Sequence, residues 1–224
     1  MILVTGAAGV LGQAVITTLA AHGEAVIAVD LAPTIPQVGQ RLSFGGIDLA
    51  DPAAGAALIA QLTGTSGAGS LTGLVNVAGG FVWETVSEGG WASWERMYRI
   101  NVQTAFEATR LALPALRTSR GAIVNVSAAA TARAGAGMGA YTAAKSAVAR
   151  LTEALAAEEL ANGVRVNAVM PSVIDTPANR RDLPDAAPGR WVTPPELAEV
   201  VAFLLAPAAS GGTGALVPVV GRVG

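Results

Sequence analysis

Two residues of this sequence, a tyrosine and a lysine, are spaced for acid–base chemistry. Lys145 is the only lysine in the chain and follows Tyr141, one of two tyrosines, by four residues. Residues four apart on a helix share a face, so a phenol and an ammonium can point into one pocket. A phenol has a reference pKa of about 10, and a neighbouring cation favours its ionised form. The pair can therefore exchange a proton with a developing alkoxide; the alternative is an incidental pair on a helix.

The glycine-rich start of the chain is a second chemical feature. A short apolar run is followed by evenly spaced glycines and then by residues that favour a helix. Such a turn between strand and helix can bring a pyrophosphate to the free N–H groups at the helix start. A glycine turn without a ligand is the alternative. The residues expected to bind a dinucleotide here are Gly6, Gly9, Val10, Leu11 and Gly12.

An acidic residue follows the second predicted strand at the distance that a dinucleotide site requires. The strand from Glu24 to Val29 ends at Asp30, and Leu31 comes next. A carboxylate at this point can accept hydrogen bonds from a ribose diol and would repel a 2′-phosphate. We therefore expect Asp30 and Leu31 in the cofactor site and NAD, rather than NADP, as the preferred cofactor.

Composition excludes several other kinds of chemistry. The chain has 224 residues, a net charge of −2, no cysteine and one histidine, His22. Without cysteine there is no disulfide or thiolate nucleophile, and a single histidine at a predicted helix end is better suited to capping than to catalysis or metal binding. No basic run is present, which argues against nucleic acid as a partner. We expect no metal site, no membrane partner and, because the first residues already predict a strand, a cytoplasmic protein without a signal peptide.

The elements that position these residues follow from the hydrophobic pattern. Apolar runs alternate with alanine-rich helical segments, a pattern typical of a parallel sheet covered by helices on both faces. We predict a single α/β domain over residues 1–224 with a doubly wound (Rossmann) sheet of about seven strands. Strands are expected in the run before Gly6 and over 24–29, 41–46, 71–77, 121–126, 164–169 and 216–220. Helices are expected over 13–21, from the Asp51-Pro52 cap, and over 94–117, 141–161 and 195–205.

Three loops between these elements have a distinctive composition. Residues 64–70 predict a flexible surface loop, and residues 171–194 predict a lid in which Arg180 and Arg181 are available to an acidic substrate group. Aromatic residues follow the fourth and sixth strands, where open α/β sheets bind ligands, and they suit either a flat substrate or anchoring in the core. These residues are Phe81, Trp83, Trp91 and Trp191.

With these pieces in order, the sequence resembles the short-chain dehydrogenase/reductase family over essentially its full length. The resemblance implies an NAD(P)-dependent oxidoreductase that transfers hydride between the cofactor and a small carbonyl or alcohol, assembled as a homodimer or homotetramer. The motifs that carry it are Thr5-Gly6-x-x-Gly9-x-x-Gly12, Asp48-Leu49, Asn76-Val77-Ala78-Gly79, Asn101-Val102, Val124-Asn125-Val126-Ser127, Tyr141-x-x-x-Lys145 and Pro171-Ser172-Val173-Ile174-Asp175-Thr176.

The resemblance also implies a role for each matching residue. Tyr141 is the acid/base, Lys145 lowers its pKa and holds the nicotinamide ribose, and Asn101 kinks its helix and anchors a water of a proton relay. Asparagine and aspartate at such positions can instead satisfy backbone groups or cap a helix. The other cofactor-binding residues implied by the family are Asp48, Leu49, Asn76, Ala78, Gly79, Pro171, Ile174 and Thr176.

One departure from the family pattern concerns a serine. The family usually places a substrate-orienting serine thirteen residues before the tyrosine, where this chain has Ala128; Ser127 lies one position earlier. Adjacent side chains of a regular strand point to opposite faces, so Ser127 reaches the substrate only if a bulge turns it. We keep Ser127 among the candidate catalytic residues.

The glycine spacing departs from the family as well, and both departures occur in the dihydropteridine reductase branch, which the sequence partly resembles. That branch also shares Ala78-Gly79-Gly80-Phe81, Gly137-Met138 and a tryptophan matching Trp191, but it lacks Asn101. An alternative function is therefore reduction of a conjugated imine. An alternative of another class is a protein that senses a dinucleotide without turnover, which Ala128 suggests and the Tyr141–Lys145 pair opposes.

Overall fold

The structure is a computed structural model and describes residues 1–64 and 71–223. Its centre is a sheet of seven parallel strands in the order β3-β2-β1-β4-β5-β6-β7. The order reverses between β1 and β4, and the crevice at the carboxyl ends of these strands is where such a sheet binds ligands. The strands are β1 (Ile2–Thr5), β2 (Val26–Val29), β3 (Leu42–Phe44), β4 (Gly73–Asn76), β5 (Ala122–Val126), β6 (Arg165–Pro171) and β7 (Leu216–Val219).

Helices cover both faces of the sheet. Helices α1 and α7 pack on one face through residues such as Ile16 and Leu197, while α2, α4 and α5 pack on the other through Leu58, Leu116 and Leu155. This confirms the predicted doubly wound fold. The helices are α1 (Val10–Ala21), α2 (Pro52–Gly64), α3 (Trp91–Tyr98), α4 (Thr104–Ser119), α5 (Gly139–Glu158), α6 (Pro177–Asp182) and α7 (Pro194–Leu205).

The helix predicted over 94–117 is interrupted. It begins earlier, at Trp91, and a π-helical turn over Arg99–Gln103 separates α3 from α4. The Asn101 side chain donates a hydrogen bond to the Met97 carbonyl (Nδ2–O 3.0 Å), so it occupies a group that a regular helix would use for its backbone ladder. Hydrophobic periodicity does not reveal a single wide turn of this kind.

Several smaller expectations concern caps and loops. The Asp51 carboxylate accepts the Ala53 N–H (2.9 Å) at the start of α2, which confirms it as the helix cap. His22 ends α1, where its backbone N–H donates to the Thr18 carbonyl, and its ring lies 3.5 Å from the Glu199 carboxylate. The predicted flexible loop falls, apart from Gly64, outside the described residues. In the described part of the chain, no helix has the length and apolarity needed to cross a membrane.

Candidate active site

The glycine loop between β1 and α1 is shaped by close backbone packing. Gly6 has a φ of 65°, and a Cβ at this position would lie 2.7 Å from the Ala78 nitrogen. A Cβ on Gly12 would overlap the Gly6 carbonyl oxygen, whereas a Cβ on Gly9 would meet only that oxygen, at 3.4 Å. Gly9 precedes α1 without a side-chain cap, so the first N–H groups of α1, including those of Val10 and Leu11, lack a side-chain acceptor. This open cradle at a helix N-terminus fits a pyrophosphate.

Asp30 lies directly beside this loop. One of its carboxylate oxygens accepts the Ala8 N–H and the other accepts the Ala32 N–H, both at 2.8 Å. The carboxylate is therefore held in place and keeps lone pairs that can accept ribose hydroxyls. The neighbouring Leu31 is exposed.

Asp48 and Leu49 are engaged with the protein. The Asp48 carboxylate accepts the Ala50 N–H (2.9 Å) and forms an ion pair with Arg99. Leu49 is buried in the apolar core on the α2 face of the sheet. Their place beside an adenine, which the family resemblance implies, stays a prediction.

Asn76, at the end of β4, and Ala78, just after it, hold the start of the crevice loop in place. Asn76 is buried, and its amide donates to the Asn125 Oδ1 (2.9 Å) and the Thr109 Oγ1 (3.2 Å), which ties β4 to β5 and α4. The Ala78 N–H donates to the Thr5 hydroxyl (3.2 Å) and so fixes this segment against β1. We conclude that Asn76 supports the crevice from within the sheet.

Tyr141 and Lys145 lie on the first turns of α5. Tyr141 is partly buried, and burial raises its pKa to about 12. The Lys145 side chain is only 6% exposed, donates from Nζ to the Val126 carbonyl (2.9 Å), and burial lowers its pKa to about 8. Burial disfavours the charged form of each group, and the lowering of the Tyr141 pKa by Lys145, which the family resemblance implies, stays a prediction.

Asn101 and Lys145 meet at Gly79. Asn101 is buried and clamps the backbone of Gly80: its Oδ1 accepts the Gly80 N–H (3.2 Å) and its Nδ2 donates to the Gly80 carbonyl (3.1 Å). A Cβ on Gly79 would overlap the Asn101 Oδ1 and lie 3.3 Å from the Lys145 Nζ. The π-turn thus brings Asn101 to the crevice loop beside Lys145. Sequence reasoning missed Gly80, whose only signal was the doubled glycine after β4.

Ser127 forms a hydrogen bond with the backbone of α5. It is 1% exposed, and its hydroxyl donates to the Lys145 carbonyl oxygen (2.9 Å). Ala128, the next residue, is also buried. The Ser127 hydroxyl therefore contacts the Lys145 turn of α5, which is a positioning contact; its catalytic role stays a prediction.

The predicted lid after β6, which begins at Pro171, is folded onto itself. Ile174 forms an isolated parallel bridge with Val192, and the Thr176 hydroxyl accepts the Asn179 N–H (3.2 Å) to cap α6. Arg180 donates through two nitrogens to the Asp175 carboxylate (2.6 and 2.7 Å), so the guanidinium expected to be free for an acidic substrate is paired. Trp191 is buried, which decides its two possible roles in favour of an anchor.

No group of three histidine, cysteine, aspartate or glutamate side chains in the described part of the chain is arranged to hold a metal ion. Asn101 and Lys145 meet at the backbone of Gly79, with Tyr141 one helical turn before Lys145, while Asp30 lies beside the glycine loop between β1 and α1.

Comparison with known proteins assigns this arrangement to a family. The family model for short chain dehydrogenases matches residues 1–187. The chain is 34% identical to 2-(S)-hydroxypropyl-CoM dehydrogenase 3 of Xanthobacter autotrophicus, over 96% of this chain and 92% of that protein. It is 35% identical to cis-4-hydroxycyclohexanecarboxylate dehydrogenase of Sinomonas cyclohexanicum, over 98% of this chain and 94% of that protein.

A solved structure supports the same family. The short-chain type dehydrogenase/reductase of Mycobacterium ulcerans superposes with a TM-score of 0.88 at 26% identity, over 99% of this chain and 88% of that one. The chain therefore belongs to the short-chain dehydrogenase family and is an oxidoreductase that transfers hydride between a nicotinamide cofactor and an alcohol or carbonyl substrate.

Proposed function

We propose that the protein interconverts a small ketone and its secondary alcohol with NAD(H), and that Tyr141 is the acid/base. The observation that carries this proposal is the position of Lys145. The only lysine of the chain is buried at the carboxyl ends of β4 and β5, beside Gly79 and one helical turn after Tyr141. A buried cation is costly unless it serves a purpose, and perturbed groups cluster at functional sites.

The residues present fit a dinucleotide. The first turn of α1 and the Gly9 backbone would hold the pyrophosphate. Asp30 would bind the adenosine ribose, and Lys145 would bind the nicotinamide ribose. The backbone of Ala78 and Gly79 would close around them, together with the lid residues Pro171, Ile174 and Thr176. The nicotinamide, when bound, supplies or accepts the hydride. Because both Asp30 oxygens already accept backbone N–H groups, the carboxylate is fixed where a 2′-phosphate would be repelled, which supports NAD over NADP.

Tyr141 moves the proton. In reduction, the carbonyl carbon gains hydride, the π-electron pair passes to oxygen, and the Tyr141 hydroxyl gives that oxygen its proton; oxidation runs the same exchange backwards. Burial raises the pKa of Tyr141 to about 12, so the phenol is protonated at neutral pH and can donate, and a neighbouring cation that brings this pKa closer to neutral makes it a better acid. The Lys145 ammonium stabilises the phenolate that proton transfer leaves behind.

The same site leaves room for a second candidate, reduction of a conjugated imine. The buried Ser127 hydroxyl donates to the Lys145 carbonyl and Ala128 has no hydroxyl, so a substrate meets a hydroxyl here only if Ser127 gives up that bond. A conjugated imine needs less stabilisation of developing negative charge than an isolated ketone. The engaged Ser127 hydroxyl is therefore the observation that favours this alternative.

We also propose a homodimer or homotetramer, a single domain over residues 1–224 and a cytoplasmic location, where the nicotinamide pool is available. Support for the oligomer comes from the outer face of α4 and α5. Tyr98, at the end of α3, and Phe106, on α4, are exposed beside a shallow apolar concavity of about 250 Å³. Val102, Gln103, Ala147 and Leu151 complete its lining.

The test is oxidation of NADH, and separately NADPH, against a panel of ketones and quinonoid dihydropterin, with wild type and Tyr141→Phe. We expect kcat/KM at least about tenfold higher with NADH, and a loss of about 10²–10⁴-fold in kcat in Tyr141→Phe with cofactor affinity retained. Unchanged turnover in Tyr141→Phe would remove Tyr141 from the mechanism. Tight NAD binding by a wild type that turns over nothing would favour the sensing alternative.

A further inference from the structure

Four aromatic side chains are concentrated on the segment between β4 and α3 and on α3 itself. The chain has only ten aromatic residues, and Phe81, Trp83, Trp91 and Trp94 fall within fourteen positions. Each is exposed, by between 37% and 71%. Large apolar side chains grouped at the surface of a soluble protein mark a place where a ligand or partner binds.

Three of these rings pack against residues 137–141, the segment that ends at Tyr141. The Trp83 indole lies against Gly137, where a Cβ would overlap it, and a Cβ on Gly139 would lie 3.4 Å from the Trp94 ring. Phe81 packs edge-to-face on Tyr141 itself, with ring centroids 5.0 Å apart and an angle of 79° between the rings. Three alternate positions, 137, 139 and 141, therefore each carry an aromatic neighbour, and the last of them is the acid/base.

The rings are held in place before any ligand arrives. The Glu84 N–H donates to the Gly137 carbonyl (2.9 Å), and the Thr85 hydroxyl donates to the Glu88 carboxylate (2.7 Å) within the same loop. Trp91 and Trp94 stack on each other with centroids 6.2 Å apart. A preorganised apolar surface loses little conformational freedom on binding, which favours affinity for a rigid ligand.

The charges around the rings argue for an apolar ligand. Residues 81–90 contain two glutamates and no lysine or arginine. Arg180, on the lid after β6, is paired with Asp175. Neither feature attracts an acidic substrate group to this surface, whereas aromatic faces pack well on rings and other flat apolar groups.

We propose that Phe81 and Trp83 form an aromatic wall of the substrate cleft, which selects ketones and secondary alcohols whose carbon skeleton contains an apolar ring over small acyclic ones. This inference rests on the proposed function, since it places the reacting carbonyl at Tyr141. It adds the class of substrate that the site takes.

The test compares 1-indanone with 2-butanone in wild type, Trp83→Ala and Trp83→Phe. Wild type is expected to have the higher kcat/KM with 1-indanone. In Trp83→Ala the ratio of the two kcat/KM values falls by about 3–10-fold, the usual effect of one lost aromatic contact. Trp83→Phe, which keeps a ring, recovers most of the ratio. Phe203→Ala is the matched control, because Phe203 is equally exposed but lies on α7, and it leaves the ratio at the wild-type value.

A second readout separates this inference from the proposed function. Equilibrium dialysis measures the Kd of 1-indanone for each variant in the presence of NAD⁺ and needs no turnover. A Kd that rises about 3–10-fold in Trp83→Ala supports the aromatic wall even if wild type reduces neither ketone, an outcome that would count against the proposed reaction alone. The inference is overturned if wild type does not bind 1-indanone, if Phe203→Ala weakens binding equally, or if Trp83→Ala changes neither the Kd nor the ratio.

Discussion

At the scale of single residues, the site depends on two groups that burial perturbs in opposite directions. Burial raises the pKa of Tyr141 to about 12 and lowers that of Lys145 to about 8. At neutral pH both therefore carry a proton, so the pair can act as a neutral donor beside a cation. The protonated form of Lys145 is the less stable of the two, because its ammonium is buried against a single carbonyl.

The Lys145 pKa predicts how stability depends on pH. Between about 8 and 10.5, the values in the folded and unfolded chain, the unfolded state binds more protons, so the free energy of unfolding rises with pH through this window. A lowering of the pKa from 10.5 to about 8 corresponds to about 3 kcal/mol in total. Below pH 8 the buried ammonium destabilises the fold by that amount.

The measurement is urea unfolding of wild type and Lys145→Met from pH 7 to 9.5, short of the range where Tyr141 ionises in the unfolded state and acts in the opposite sense. Wild type should gain stability across this range, and Lys145→Met, which has no charge to bury, should lack that gain. Parallel pH profiles for the two proteins would contradict the account of Lys145.

At the scale of elements, the π-turn decides the geometry of the crevice loop. Asn101 holds the Gly80 backbone through two hydrogen bonds and the Met97 carbonyl through a third. Gly79, between Asn101 and Lys145, has no room for a side chain. The turn therefore links the α3–α4 junction to the loop after β4 and sets the distance between that loop and α5.

Asn101→Ala tests this link. The substitution removes two hydrogen bonds to the half-buried backbone of Gly80 and one to the Met97 carbonyl, so we expect a loss of about 2–3 kcal/mol in the free energy of unfolding and a lower kcat as the loop shifts. Thr104→Val, which removes a hydroxyl that donates to the Ile100 carbonyl (2.8 Å) in the same turn, is the control. It should cost about 1 kcal/mol and leave kcat near the wild-type value. Equal effects of both changes on kcat would show that Asn101 acts only through helix stability.

The sequence predicted the elements well where periodicity and motif agreed. Apolar runs and their alternation with helices predicted the seven strands and the doubly wound fold, and the structure confirms both. The spacing of the motifs predicted the glycine loop with Asp30. Pairings between distant side chains could not be predicted, because one sequence does not show which groups meet. Arg180 seemed free but pairs with Asp175, and Ser127 proved to contact the backbone of α5.

At the scale of the whole molecule, the outer face of α4 and α5 is the surface proposed for assembly. Phe106 is exposed there beside Tyr98 and the apolar concavity. A charge placed in the middle of an apolar interface is expensive to bury. Phe106→Arg should therefore dissociate the oligomer.

Sedimentation equilibrium provides the measurement. Wild type should have a mass of two or four times 22.3 kDa, and Phe106→Arg a lower multiple. Phe203→Arg, an exposed aromatic on α7, should keep the wild-type mass. A monomeric wild type would contradict the proposed assembly, and an oligomer that persists in Phe106→Arg would place the interface on another face.

In the proposed reaction, hydride passes between a nicotinamide cofactor and a carbonyl carbon while Tyr141 supplies the proton. The most direct measurement is mass spectrometry of the alcohol formed from the best ketone substrate and NADH carrying deuterium at both C4 positions. We expect one deuterium on the carbinol carbon with wild type, and about 10²–10⁴-fold less labelled alcohol formed in the same time by Tyr141→Phe. Alcohol formed without deuterium, or labelled alcohol formed equally well by Tyr141→Phe, would contradict it.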